Sequence, residues 1–299
     1  MDLQLGNGTF AEKSLLCCSR STCALIVAAH HGHDKVVKML LEAGGIDVNQ
    51  TDLDGNTPLI WAASFGHNKI AKMILETEGV HLNQANCTGD TALGWAASEG
   101  HVKIVEMLLE REDIDVNKAD HDGHTPLIWA VRQGHKSVVQ MLLQKADIQM
   151  NQVNVYGENA LILAAYKGED LIVERLLEKD DIEVNQQQSQ GASALYLAAG
   201  YGHINIVKLL LEKDTTQVNL PTFDGATPLH TAAEWRYDKI VRELLKHERI
   251  EVNLADVFGE TPMSLAANDR NAKIVNLLLA TPEIKAVGWG GWRPHADAG

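Results

Sequence analysis

One column of this sequence sets an acid, an imidazole and a second acid at equal intervals: Asp90, His124 and Glu158, 34 residues apart. Carboxylates and imidazoles beside an apolar wall can donate or accept protons, and Trp95, Trp129, Tyr156 and Tyr166 would supply that wall. His121 adds a second imidazole. A catalytic reading follows, with Asp90, His124 and Glu158 as acid–base groups of a cyclase, isomerase or lyase acting on an apolar small molecule. The plainer reading is a row of polar turn residues facing water, because a scaffold does not by itself imply a site.

Other chemistries find less support. His30-His31-Gly32-His33 and His121-Asp122-Gly123-His124 do not set two ligands one helical turn apart beside a third, so no metal is expected. Cys17, Cys18, Cys23 and Cys87 show no paired CxxC spacing, and no nucleophile or phosphate-loop motif stands out, so no cofactor is expected either. Four cysteines in 299 residues do not make a disulfide framework, which points to a reducing, cytoplasmic compartment. Lys plus Arg number 26 against 40 Asp plus Glu, a formal charge of −14 that argues against nucleic acid as a partner. The first residues lack a basic start followed by a long apolar run, and no stretch reaches the ~18 to 20 apolar residues that span a bilayer. A soluble chain without membrane insertion is expected.

The candidate groups recur because the chain repeats. Gly55, Gly89, Gly123, Gly157, Gly191, Gly225 and Gly259 follow one another every 34 residues, the mark of stacked units. Thr57, Thr125, Thr227 and Thr261 can cap a helix, and Pro58, Pro126, Pro228 and Pro262 follow at the first helical position, where no amide hydrogen is needed. Pairs such as Ala62-Ala63 and Ala96-Ala97 let this helix A approach its neighbours, with Leu59, Leu93 and Leu127 as core plugs. Helix B follows a Gly-His step and buries Ile70, Ile74 and Leu75, then Ile104, Leu108 and Leu109. Asn49, Asn83, Asn117, Asn151, Asn185, Asn219 and Asn253 precede each turn and are expected to hold their own loop's shape. His33, His67, His101, His135 and His203 belong to the Gly-His step and read as scaffold, leaving His30, His31, His121, His124 and His230 to face a groove or a neighbour.

TPLHTAA at Thr227 to Ala233 and AASEGH at Ala96 to His101 resemble the core of the ankyrin-repeat family. Tetratricopeptide repeats share the period, but their Trp-x-x-Leu-Gly-x-x-Tyr pattern is missing. The resemblance covers residues 18–287 and implies an all-α solenoid of eight helix-turn-helix repeats, the last truncated, with projecting turns and a concave groove. Residues 1–17 would cap its N-terminal end, and 288–299, with Trp289 and Trp292, would form a flexible tail. In the last two units Arg236-Tyr237 and Arg270-Asn271 replace Gly-His, which predicts a bend or altered packing there.

In such a stack helix A and the turns line the concave side. The exposed stripe of helix A then carries Trp61, Phe65, Trp95, Glu99, Trp129, Arg132, Tyr166, Lys167, Tyr201 and Trp235, joined by His121 and Tyr156 from the turns. Trp61, Trp95 and Trp129 form a ladder that could grip an apolar group, or simply pad the space between helix A and the turns. The resemblance implies a protein partner, and the negative charge favours a basic or amphipathic segment; an apolar small molecule in the same groove is the alternative.

Overall fold

The computed structural model describes residues 24–281. The expected N-terminal cap, Cys17, Cys18 and Cys23, and the tail with Trp289 and Trp292 lie outside the described residues. Among those described the chain is all-α, with sixteen helices and a single isolated bridge, Gln187 to Ser193. It divides into a first unit ending at Val155 and a second beginning at Tyr156.

The first unit holds α1 (Ala24–His30), α2 (Asp34–Ala43), α3 (Pro58–Ser64), α4 (Asn68–Leu75), α5 (Ala92–Ser98), α6 (Val102–Leu109), α7 (Pro126–Gln133) and α8 (Lys136–Leu142). The second holds α9 (Ala160–Lys167), α10 (Asp170–Leu177), α11 (Ala194–Gly200), α12 (Ile204–Leu211), α13 (Pro228–Glu234), α14 (Asp238–Leu244), α15 (Pro262–Asn268) and α16 (Ala272–Leu279). Odd numbers are helices A and even numbers helices B. Within each unit every helix A packs on the next helix A and every helix B on the next helix B.

Most of these helices have seven or eight residues, too few to be stable alone, so stacking must hold them. Thr57 Oγ1 accepts the N–H of Ile60 at 3.1 Å and Thr125 Oγ1 that of Ile128 at 3.2 Å, so the threonine caps form as the sequence predicts. Asn159 and Ser193 take over the role where threonine is missing. Ala62, Ala63, Ala96 and Ala97 are fully buried, as are Ile70, Ile74, Ile104 and Leu108 on the helix B face. Leu59, Leu93 and Leu127 fill the space between, each contributing about 1.5 to 3 kcal/mol by burial.

The Gly-His step is a bond between repeats. His101 Nε2–H donates to the carbonyl of Ser64 at 3.1 Å, His135 to Ser98 at 2.8 Å, and His203 to Tyr166 at 3.1 Å. A Cβ on Gly100 would lie 2.5 Å from the His135 ring, and its φ of +72° already disfavours any other residue. The replacement of Gly-His near the C-terminal end does not bend the local backbone as expected. Arg236 and Arg270 take up φ of 62° and 54°, and the Tyr237 N–H reaches the Ala232 carbonyl at 2.9 Å as that of His101 reaches Ala96.

The recurrent asparagines do more than shape their own loops. Asn117 Nδ2 donates to the Asp147 carbonyl at 2.7 Å while its Oδ1 accepts the Gln149 N–H at 2.7 Å, and Asn49, Asn83, Asn185 and Asn219 do the same one repeat along. Each is a two-point clamp from one repeat to the next.

Candidate binding surface

In the first unit the tryptophan column is held from the turns. Trp129 Nε1–H donates to Asp120 Oδ2 at 3.0 Å and Trp61 Nε1–H to Asp52 Oδ2 at 2.8 Å, while the other oxygen of each aspartate accepts turn N–H groups. At Trp95 the turn residue is Asn86, whose carbonyl oxygen is taken by Thr88 and the Asp90 N–H, and the indole N–H is buried without a hydrogen-bond partner. All three rings are half-buried.

His124 is 4% exposed. Its ring lies on Trp129 with centroids 4.7 Å apart, its Nδ1 is 3.4 Å from Asp120 Oδ2, and Arg132 Nη1 approaches Nε2 at 2.9 Å. A guanidinium can only donate, so Nε2 is the acceptor and the ring proton sits on Nδ1, facing the aspartate. The sequence left His124 free to face a groove or a neighbour; here Arg132 meets its Nε2, while its buried Nδ1, 3.4 Å from Asp120 Oδ2, makes no hydrogen bond. Arg132 itself is exposed, its Cζ 5.6 Å from the Trp129 centroid. Asp90 is half-buried and tied within its own turn to Thr88 Oγ1 at 2.6 Å and Asn86 Nδ2 at 3.4 Å. His121 and Glu99 are exposed.

Near the start of the first unit the His30 ring meets Trp61 at 4.6 Å, Phe65 at 4.9 Å and His31 at 4.5 Å, all edge to face. Both of its nitrogens are buried without a hydrogen-bond partner. Burial depresses its pKa, with His31 and His67 acting in the same direction and Asp52 against them.

The second unit presents its aromatics differently. Tyr166 and Tyr201 meet edge to face at 4.6 Å, and both are exposed, Tyr201 by 52%. Trp235, one repeat after Tyr201 in the same column, is 61% exposed. Tyr196 is half-buried; burial raises its pKa, Thr231 acts against the rise, and the carboxylates of Glu234 and Asp224 add to it. Tyr156 and Lys167 are exposed, and Glu158 is half-buried in the turn before α9. His230, a second histidine left free by the sequence, is 1% exposed: Nδ1 accepts the Thr227 N–H at 3.1 Å and Nε2–H donates to the Glu260 carbonyl at 3.1 Å. It completes a helix cap and bonds to the next repeat, so of the two alternatives it faces a neighbour and not the groove.

Sequence reasoning passed over the turn tips. Phe223 is 72% and Phe258 78% exposed, with Val257 beside them, and the Val257 N–H bonds to the Asp224 carbonyl at 2.9 Å, so neighbouring tips are laced together. The signal was an apolar residue just ahead of the turn glycine, at Phe223, Val257 and Phe258, in a segment otherwise polar. A depression of about 510 Å³ in the second unit, lined by Lys179, Asp180, Lys213 and Asp214 among others, includes none of the candidate groups. Among the described residues no three His, Cys, Asp or Glu side chains converge as metal ligands would, and no helix is long and apolar enough to cross a membrane.

The family model described as Ankyrin repeats (3 copies) matches residues 3–86, 78–154, 147–222 and 214–287. The chain belongs to the ankyrin-repeat family, whose members generally serve as protein–protein interaction modules. A search of curated protein sequences finds no match.

Proposed function

We propose that this chain is a cytoplasmic, non-enzymatic binding protein that recognises a basic or amphipathic segment of a partner protein through exposed aromatic side chains. The observation that carries this reading is the exposure of Tyr166, Tyr201 and Trp235 in the second unit, with Phe223 and Phe258 on nearby turn tips. Large rings left in water are unfavourable for a monomer, and Trp and Tyr are the residue types in which binding energy concentrates. The excess of acidic residues steers basic segments toward the chain and repels nucleic acid.

Nothing in the geometry favours acid–base catalysis over this reading. A general base needs an open lone pair within reach of substrate, and the His124 lone pair is met by Arg132 in a site closed to water.

The test is to pan a phage-displayed random peptide library against the whole chain and against a Tyr201→Ala/Trp235→Ala double variant of matched stability. Peptides enriched on the first and at least about tenfold weaker on the second support the reading. Enriched peptides that bind both equally would remove the aromatic surface from it.

A further inference from the structure

In the second unit α13 ends on an exposed carboxylate, Glu234, that pairs with no cation among the described residues, and the exposed Trp235 follows it directly. We infer that Tyr201, Trp235 and Glu234 seat a positively charged side chain, guanidinium or ammonium, of the partner segment; this deepens the protein-binding reading above and rests on it.

The local framework is fixed. Tyr201 is braced edge-on by Tyr166 at 84° between ring planes, and α11, which ends just before Tyr201, packs directly on α13, which ends just before Trp235. Thr231, 3% exposed, packs against the end of α11, its hydroxyl oxygen 2.6 Å from where a Cβ on Gly200 would stand. The carboxylates of Glu234 and Asp224 both act to keep the Tyr196 hydroxyl protonated, the effect of a negative field.

No cation among the described residues pairs with Glu234 or Asp224. Arg236, next in sequence to Trp235, is turned away and held by both oxygens of Asp269. A wholly apolar partner covering Trp235 and Tyr201 would strip water from the adjacent carboxylate and return nothing. A guanidinium or ammonium group does both jobs: its charge meets Glu234, and its face or its methylene stem lies on the rings, whose π faces attract cations. The exposed positions suit such an arrangement because a long side chain can reach the carboxylate while the peptide backbone stays outside.

The probe is the acetylated tetra-arginine amide, titrated into the full chain while the indole N–H cross-peak of Trp235, assigned through Trp235→Phe, is followed by NMR. A saturable shift is expected, weakened about fivefold to tenfold in Glu234→Gln and in Tyr201→Leu and lost for the isosteric tetra-citrulline amide. Equal affinity in the parent and both variants would reduce the effect to diffuse attraction by the net charge, and absence of a saturable shift up to millimolar peptide would also overturn the inference. The two readings fail separately: library peptides that need Tyr201 and Trp235 yet bind Glu234→Gln with unchanged affinity keep the protein-binding reading and discard the cation seat.

Discussion

The indole N–H of Trp129 points at the carboxylate of Asp120, nine positions earlier and 3.0 Å away, and the identical pairing joins Trp61 to Asp52. Trp95, between them in the column, has Asn86 at that position and no hydrogen-bond partner for its buried N–H. The ladder is therefore chemically uneven. Replacing Trp129 with Phe should cost about 1 to 2 kcal/mol more than replacing Trp95 with Phe, because only the first change breaks a bond to a charged acceptor. Urea midpoints of the two variants, taken with the same slope, measure the difference.

Asn117 ties its repeat to the next through the Asp147 carbonyl and the Gln149 N–H. Asn117→Ala leaves both groups without that partner and should destabilise the chain by about 1 to 3 kcal/mol. Asn117→Asp keeps the acceptor but turns a carboxylate toward the Asp147 carbonyl, so it should not rescue. Chemical denaturation with far-UV circular dichroism checks both.

Arg270 occupies the left-handed turn that glycine fills at Gly100, with φ of 54°. A side chain there costs about 1 kcal/mol or more, so Arg270→Gly should raise stability by roughly that amount. Arg236→Gly should gain less, since it also gives up the exposed pairing with Asp269. Thermal melts of the two variants settle the order.

Burial holds the pKa of His230 below 6.5, its ordinary value, and Nδ1 accepts the Thr227 N–H that closes the helix cap. An imidazole with a depressed folded pKa takes up more protons in the unfolded chain, so its contribution is fully present above pH 6.5 and is lost as pH falls through the folded value. His30, depressed by burial and by His31 and His67, acts in the same direction. The urea midpoint should fall between pH 7 and pH 5, less steeply in a His230→Leu/His30→Leu double variant. An unchanged slope in that variant would contradict the assignment.

Arg132 fixes the His124 tautomer, with the proton on Nδ1 toward Asp120. Nitrogen-15 shifts should show a protonated Nδ1 and an unprotonated Nε2 in the parent, and a mixture once Arg132→Met removes the donor. The same spectra would expose any open lone pair on which an acid–base mechanism could rest.

The helices were legible in the sequence because their causes are local. A threonine one residue ahead of a proline, an alanine pair, a glycine before a histidine and a 34-residue spacing act within a turn or two of the chain, so reading along it recovers helix A, helix B and the tight step between them. The asparagine clamps were not, because their partners lie one repeat further on, where the next repeat's backbone has to arrive first. Nor could spacing tell His124 and His230, sealed by Arg132 and by the Glu260 carbonyl, from a histidine facing solvent, since burial is decided by what packs above a residue. The aromatic stripe shows both sides of this division. Its column was readable from helical periodicity, but that Trp61 and Trp129 are anchored from below while Tyr201 and Trp235 stand in water depends on side-chain directions and neighbours, which only the stacked structure supplies.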